Sequence, residues 1–380
     1  MKKRIAFLSS KPLDDKRNWS GTMFNLYQNL EKQGYTISWI PLPQYTIGEN
    51  KLFSFIQNVY QKIFNRTFNQ HHFFLKSWIA SKRLEKKLKK ENFDALFVPT
   101  YATEIGFLNI KQPIVYLNDA TFHQLINYYP AFSGLGYLSK KITAALEKKV
   151  LQKANAIIFS SEWASQHARD FYHISPKKIF TVKFGANLPI PEVLTPKNYL
   201  GKIKFLFLAV NWERKGGAIA YETIKILHDK GYDVELQIIG CNPNIQESFV
   251  KIIPFLNKNN SDDLAQIQQH LLNSHFLFVP TRADCTPIAF CEAAGYGLPV
   301  ISTDTGGVSA TVENLKTGLL LPIQATANDF AEKIKTYLDH PNEIEQLSQA
   351  SIIKYKNELN WENWGKEINN IINILLEKKS

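Results

Sequence analysis

Two separate runs of alternating apolar strands and amphipathic helices, parted by a proline-rich stretch, restrict what this chain can fold into. In the first run, strand-like segments Ile5–Ser9, Thr36–Ile40, Ala95–Pro99, Ile114–Leu117, Ala156–Ser160 and Ile179–Val182 alternate with helical patterns near 21–33 and 140–153. Strands spaced by helices in this way form parallel sheets covered on both faces. The pattern restarts at Phe205–Val210 with a helix over 216–230 that stops at Gly231, then strands Val234–Gly240, Phe276–Pro280, Val300–Ser302 and Leu319–Leu321. Between the runs, Asn187–Lys204 holds Pro189, Pro191, Pro196 and Gly201, which is linker composition. A chain of 380 residues also exceeds a single core. We therefore expect an α/β protein of two parallel-sheet domains, 1–190 and 191–360. The tail, 361–380, reads as an amphipathic helix with Ile368, Ile371, Ile372 and Leu375 on the face that needs a partner.

Composition removes several classes. No apolar run reaches the length of a membrane-spanning helix. The Lys2-Lys3-Arg4 start mimics a signal peptide, but the apolar run ends after Leu8 and reads better as a first strand. Cys241, Cys285 and Cys291 are too few for a disulfide framework and lack metal-ligand spacing, which fits a reducing cytoplasm. The net charge of +11 admits nucleic acid, an anionic membrane or an anionic ligand as partner. No helix-turn-helix, zinc-finger or RNA-binding signature is present, so no nucleic-acid partner is expected. Lysines crowd 76–90, just after an aromatic stretch with Phe53, Phe55, Tyr60, Phe64, Phe68, Phe73 and Phe74. Two readings stand: a solvated helix face whose aromatics pack in the core, or a surface that lies on an anionic bilayer.

The segment Asp284–Gly307 carries the clearest chemistry. Asp284 stands eight positions before Glu292, across a turn from a buried strand into a helix, with Pro287 suited to the helix start. The N–H groups at a helix N-terminus seat phosphate. Two carboxylates beside that seat accept hydroxyl hydrogen bonds, one from a sugar and one from a ribose. Arg214 and Lys215 likewise open a helix after a strand, where cations are unfavourable unless an anion joins them. Gly21 permits close backbone approach at the start of the first helix, with Ser20 as a cap. Asp119 follows a strand, and His123 lies nearby. Glu162 opens a further helix, where capping is the expected job.

The segment resembles the E-x7-E motif of the retaining glycosyltransferases of family 4, with Asp284 in place of the first Glu. Residues 19–22 (WSGT), 118–122 (NDATF), 160–163 (SSEW), 184–187 (FGAN), 211–217 (NWERKGG) and 281–284 (TRAD) extend the resemblance over most of the chain. It implies the GT-B fold, two Rossmann-like domains facing each other across a cleft, with the last helix packing back on the first. The implied activity is transfer of a hexose from a nucleotide-diphosphate sugar to a saccharide or lipid-linked acceptor in envelope polysaccharide synthesis. Configuration would be retained, with neither cofactor nor metal. Donor contacts would come from Gly21, Arg214, Lys215, Asp284, Thr286, Pro287, Ile288 and Glu292, and the catalytic set would be Asp119, Arg214, Lys215 and Asp284. The family's further arginine, five or six residues before this cationic pair, is replaced by Ala209 and Val210. Asp284 is one methylene shorter than the usual Glu. Cytoplasmic location follows, with peripheral contact on the inner membrane face as an extension. Two alternatives remain: a non-catalytic sugar-nucleotide-binding subunit, or another GT-B enzyme such as a nucleotide-sugar epimerase or a glycogen-type synthase.

Overall fold

A computed structural model describes residues 2–377. The chain forms two compact units: one runs to Val182 and resumes at Gly365, and the other is Lys183–Trp364.

The first unit holds strands β1 (Arg4–Ser9), β2 (Thr36–Pro41), β3 (Ala95–Pro99), β4 (Ile114–Asn118), β5 (Ala156–Phe159) and β6 (Ile179–Thr181). They form one parallel sheet in the order β2-β1-β3-β4-β5-β6. Its helices are α1 (Thr22–Lys32), α2 (Ile47–Phe64), α3 (Phe74–Leu88), α4 (Phe122–Leu125), α5 (Tyr137–Lys153) and α6 (Glu162–Asp170). The continuous apolar runs in β1, β3, β4 and β5 are buried, as a sheet covered on both faces requires.

The second unit repeats the plan with β7 (Ile203–Leu208), β8 (Val234–Ile239), β9 (Val250–Ile253), β10 (Phe276–Phe278), β11 (Val300–Asp304) and β12 (Gly318–Pro322). Its parallel sheet has the order β12-β11-β10-β7-β8-β9. Helices α7 (Gly217–Asp229), α8 (Ser261–Asn273), α9 (Ile288–Gly295), α10 (Val308–Thr311), α11 (Ala327–Asp339) and α12 (Pro341–Asn357) follow, and α13 (Trp361–Glu377) closes the chain.

The sequence boundary at 190 falls inside the second unit. Phe184 stacks on Trp361 at 5.7 Å and Cys291 Sγ donates to the Phe184 carbonyl at 3.5 Å, which ties 183–190 to that unit. Helix α13 starts in the second unit, where Trp361 Nε1 donates to Asn187 Oδ1 at 3.1 Å. From Gly365 it belongs to the first: Ile368 and Ile372 are fully buried, and Tyr35 OH donates to Asn369 Oδ1 at 2.8 Å.

The aromatic stretch resolves into α2, opened by a capping box of Thr46 and Glu49. Phe53 and Tyr60 are buried, one helical stripe apart, and Phe68 beyond the helix is buried with them. Phe55, Val59, Ile63 and Phe64 point outward, with Phe55 64% exposed. Neither sequence reading of the aromatics covers all of them.

Candidate active site

In the second sheet the chain leaves β7 toward β8 and β9, then returns on the other side of β7 with β10. The carboxyl ends of β7 and β10 thus flank the point where strand order reverses, the place where open α/β sheets bind ligands. The loops after these two strands hold Arg214–Lys215 and Asp284. They are pinned together. The Arg282 N–H donates to the Arg214 carbonyl at 2.7 Å, and Arg214 Nη1 donates to the Ala283 carbonyl at 2.8 Å. One guanidinium nitrogen thus holds protein backbone. Gly216 is required here: its φ is +73°, and a Cβ would sit 2.0 Å from the Pro280 carbonyl oxygen. The neighbouring Gly217 makes room for the Trp212 ring, so the spacing in NWERKGG is set by packing against β7 and β10.

Two carboxylates in this region each carry a lysine. Lys215 Nζ is ion-paired with Asp284, which is buried. Lys258 Nζ lies 2.7 Å from Glu292 Oε1 and 2.8 Å from Oε2, and Glu292 has no exposed surface. Thr286, Pro287 and Ile288 lead from Asp284 into α9, and the Gly307 N–H donates to the Asp284 carbonyl at 3.0 Å. The arrangement interleaves two buried carboxylates with two lysines. Sequence reasoning found Lys215, Asp284 and Glu292 from local turns. It did not pair Lys258 with Glu292, because the two lie 34 residues apart in the chain.

Gly21 and Asp119 belong to the first unit. In that sheet the order reverses between β1 and β3. The loop after β1 ends in three left-handed residues, Trp19 (φ 48°), Ser20 (φ 54°) and Gly21 (φ 90°). Side chains resist this conformation, so two non-glycine residues there store strain. Gly21, not Ser20, occupies the N-cap position of α1. The expectation for Ser20 therefore fails on backbone geometry.

Asp119 follows β4. Its N–H donates to Asn118 Oδ1 at 3.0 Å, and Asn118 Nδ2 donates to Tyr116 OH at 3.0 Å. The loop is held from below by Glu147 of α5, which accepts from the Phe122 N–H at 2.7 Å and from Tyr172 OH. His123 is part of an array: it stacks on Phe171 at 3.8 Å, and its Nδ1 lies 3.2 Å from His167 Nε2. His167 Nδ1 in turn meets Thr121 Oγ1 at 2.8 Å. Burial, then the charge of His123, push His167 down to about 4. Glu162 accepts from Thr181 Oγ1 at 2.8 Å and pairs with Arg169, while Ser161 caps α6. Among the described residues no cluster of three or more His, Cys, Asp or Glu could hold a metal ion.

Burial pushes the Glu147 carboxyl up from 4.5 to about 7, against the lowering bonds from Tyr172 and the backbone. The folded state then holds a proton that the unfolded chain releases, so the contribution of Glu147 to stability is fully present below pH 4.5 and is lost as pH rises toward 7. The loss is on the order of 3 kcal/mol. Glu147→Gln keeps the shape and one oxygen to accept from the Phe122 N–H, turns the other contact into an N–H donor toward Tyr172 OH, and is expected to flatten this slope. Urea unfolding of both proteins between pH 5 and 8 measures it; parallel slopes would refute the assignment.

The family model described as Glycosyltransferase Family 4 matches residues 22–188, and that described as Glycosyl transferases group 1 matches 202–340. An uncharacterized glycosyltransferase of Haemophilus influenzae is 22% identical over 342 residues, 86% of this chain and 88% of its own. The D-rhamnosyltransferase WbpZ of Pseudomonas aeruginosa is 26% identical over 167 residues, 41% of this chain and 42% of its own. Among solved structures, a sucrose-phosphate synthase from Thermosynechococcus elongatus superposes with a TM-score of 0.67 at 17% identity, covering 99% of this chain and 100% of that one. HepE of Anabaena, in complex with UDP-glucose, gives 0.63 at 13% identity, with 98% and 99% covered. Each model accounts for one of the two parallel-sheet halves, and the chain belongs to the family 4 type of glycosyltransferases, built on the GT-B pair of Rossmann-like domains.

Proposed function

We propose that this glycosyltransferase moves a hexose from a nucleotide-diphosphate sugar to a hydroxyl of a saccharide or lipid-linked glycan of the cell envelope, with retained configuration and no metal. The observation that carries this is the pairing of two buried carboxylates with lysines at the reversal point of the second sheet. In this reading Glu292 receives the ribose hydroxyls and Asp284 a hydroxyl of the donor sugar. Lys215 then turns from Asp284 to the diphosphate, joined by Arg214 and by the N–H groups of Thr286 and Ile288. Pro287 has no N–H to give and fixes the entry to α9. In the first unit, Gly21 lets backbone approach a ligand, and Asp119 orients the acceptor or donor sugar.

The acceptor oxygen bonds to the anomeric carbon on the face from which the diphosphate leaves. The carbon–oxygen bond to the diphosphate breaks, and the leaving phosphate takes the acceptor proton. The protein's work is positioning and stabilising the leaving charge. UDP-glucose bound to HepE supports a nucleotide-sugar donor, and the rhamnosyl transfer named for WbpZ supports transfer of a sugar. The test is release of nucleoside diphosphate from UDP-, GDP-, ADP- and dTDP-sugars with and without EDTA. Release from one donor, unchanged by EDTA, is expected. No release, with no nucleotide binding by calorimetry, would overturn the reading.

A second observation favours contact with an anionic membrane. Phe55, Val59, Ile63 and Phe64 of α2 and Tyr137 and Leu138 of α5 are exposed. The end of α2 and the start of α5 adjoin: the Gly136 N–H donates to the Thr67 carbonyl at 3.0 Å. Lys62, Arg66, Lys140 and Lys141 flank this apolar face. The lysine run at 86–90 is less available, since Lys87 donates to the Pro41 carbonyl at 3.0 Å and Lys89 pairs with Glu85 at 3.3 Å. No helix among the described residues is long and apolar enough to cross a membrane. Replacing Phe55, Ile63 and Phe64 by Ser is expected to weaken sedimentation with phosphatidylglycerol vesicles by about a hundredfold. Unchanged sedimentation would refute the contact.

A further inference from the structure

Glu147 of α5 is buried, and three donors from outside its own helix converge on its carboxyl. The Phe122 N–H reaches Oε1 at 2.7 Å, Tyr172 OH reaches Oε2, and the His123 N–H bonds the group as well. An ionised carboxylate only accepts, whereas protonation puts an O–H on one oxygen, where a donor already points. The donor set therefore fits the ionised form, and bonds to a carboxylate are about twice as strong as neutral ones. Burial opposes this by penalising the charge. The two effects differ in sign. The stability that Glu147 contributes is lost as it ionises, while its grip on the loop tightens.

Phe122 stands three residues after Asp119. The other ties of this loop are neutral: Thr121 Oγ1 meets His167 Nδ1 at 2.8 Å, and Gln124 Nε2 donates to the Trp163 carbonyl at 2.9 Å. The titratable groups around Glu147 come from β4 (Tyr116), the loop after it (Asp119), α4 (His123), α6 (His167) and the turn after α6 (Tyr172). Burial, then the charge of Glu147, raises Tyr116 and Tyr172 above their usual range. Burial lowers His123 and pushes His167 down to about 4. His72, 4.6 Å from the Phe122 ring, is likewise pushed down to about 4. Burial also pushes Glu104, after β3, up to about 7, so a titration near neutral pH has two candidates that variants must separate.

Resting on the role given to Asp119 above, we propose that Glu147 is a positioning residue for transfer: its ionised carboxylate gathers the Phe122 and His123 N–H groups and so fixes the loop that carries Asp119. The loop is then held more firmly at pH 8 than at pH 6, although Glu147 contributes less to the stability of the whole fold.

Amide exchange of residues 118–124 in the full chain, expressed as protection factors across pH 6 to 8, reads the loop. Release of nucleoside diphosphate from UDP-, GDP-, ADP- and dTDP-sugars over the same range reads the reaction. Wild-type protection of Phe122 and His123 is expected to rise by about tenfold with pH, and turnover to rise with it. Glu147→Gln, neutral at every pH, is expected to stay at the acid level in both. Tyr172→Phe keeps the carboxyl but removes one donor to its ionised form, which should move the rise to higher pH. Glu104→Gln is expected to leave the rise in place. A merely structural Glu147 would make turnover fall with pH, along with its share of the stability. Protection that is flat in wild type, or that rises equally in Glu147→Gln, overturns the proposal. Turnover that does not follow protection overturns it too. Should Glu147→Gln fail to fold, the wild-type rise and its shift in Tyr172→Phe decide, and an unshifted rise counts against Glu147. Wild-type protein that releases no diphosphate refutes the donor reading, and the exchange measurement still decides whether Glu147 holds the loop.

Discussion

Glu292→Ala is expected to lower sugar transfer by at least about a hundredfold and to abolish measurable nucleoside diphosphate binding, with the fold retained. The position explains both halves. Glu292 is flanked by buried Cys291, Ala293 and Ala294 on α9, so alanine suits the helix. Its partner Lys258 is already partly exposed and turns into solvent once the carboxylate is gone, so no charge is stranded. What disappears is the acceptor for the ribose, and a preorganised group of this kind is worth about two to three powers of ten in rate. Turnover and calorimetry give the functional effect, and a thermal melt close to wild type shows that the fold survives. Turnover at the wild-type rate would remove Glu292 from the site.

The second large effect combines stability with activity. Lys215→Met leaves Asp284 buried without its ammonium. Breaking a buried pair from one side costs about 3 kcal/mol or more. Transfer is expected to fall by about a thousandfold, because the leaving diphosphate loses its cation. Adding Asp284→Asn should recover most of the stability, since the buried negative charge is gone, yet recover no activity. Urea unfolding of the single and double variants, beside their turnover, separates the two roles. A double variant that regains transfer would show that Lys215 acts only on Asp284.

Among the described residues, eleven of the twelve strands are legible in the chain because each is a short run of apolar residues between turn signals. The exception is β9, Val250–Ile253, an edge strand with Lys251 in its middle and none of its residues buried. It lacks the continuous apolar run that betrays a central strand. Asp284, Glu292 and Lys215 are legible for a related reason: each is placed by a strand-to-helix turn written in neighbouring residues. Lys258 and His167 are not, since each is brought to its partner by the sheet rather than by the local chain. Ser20 shows the opposite failure. Its residue type suits a cap, but the loop forces Trp19 and Ser20 into left-handed backbone, and the cap passes to Gly21.

Helix α13 has a consequence for the order in which this chain matures on the ribosome. The second unit is one continuous stretch, Lys183–Trp364, and all of its residues have been made before the chain reaches Gly365. The first unit is begun earlier, yet it waits for Gly365, which lies against Asn29 of α1, and for Asn369, which accepts from Tyr35 OH. Domains usually fold in the order of synthesis. Here the half that starts the chain is the last to be sealed, and its exposed flank is open for the whole time that the other half is being translated.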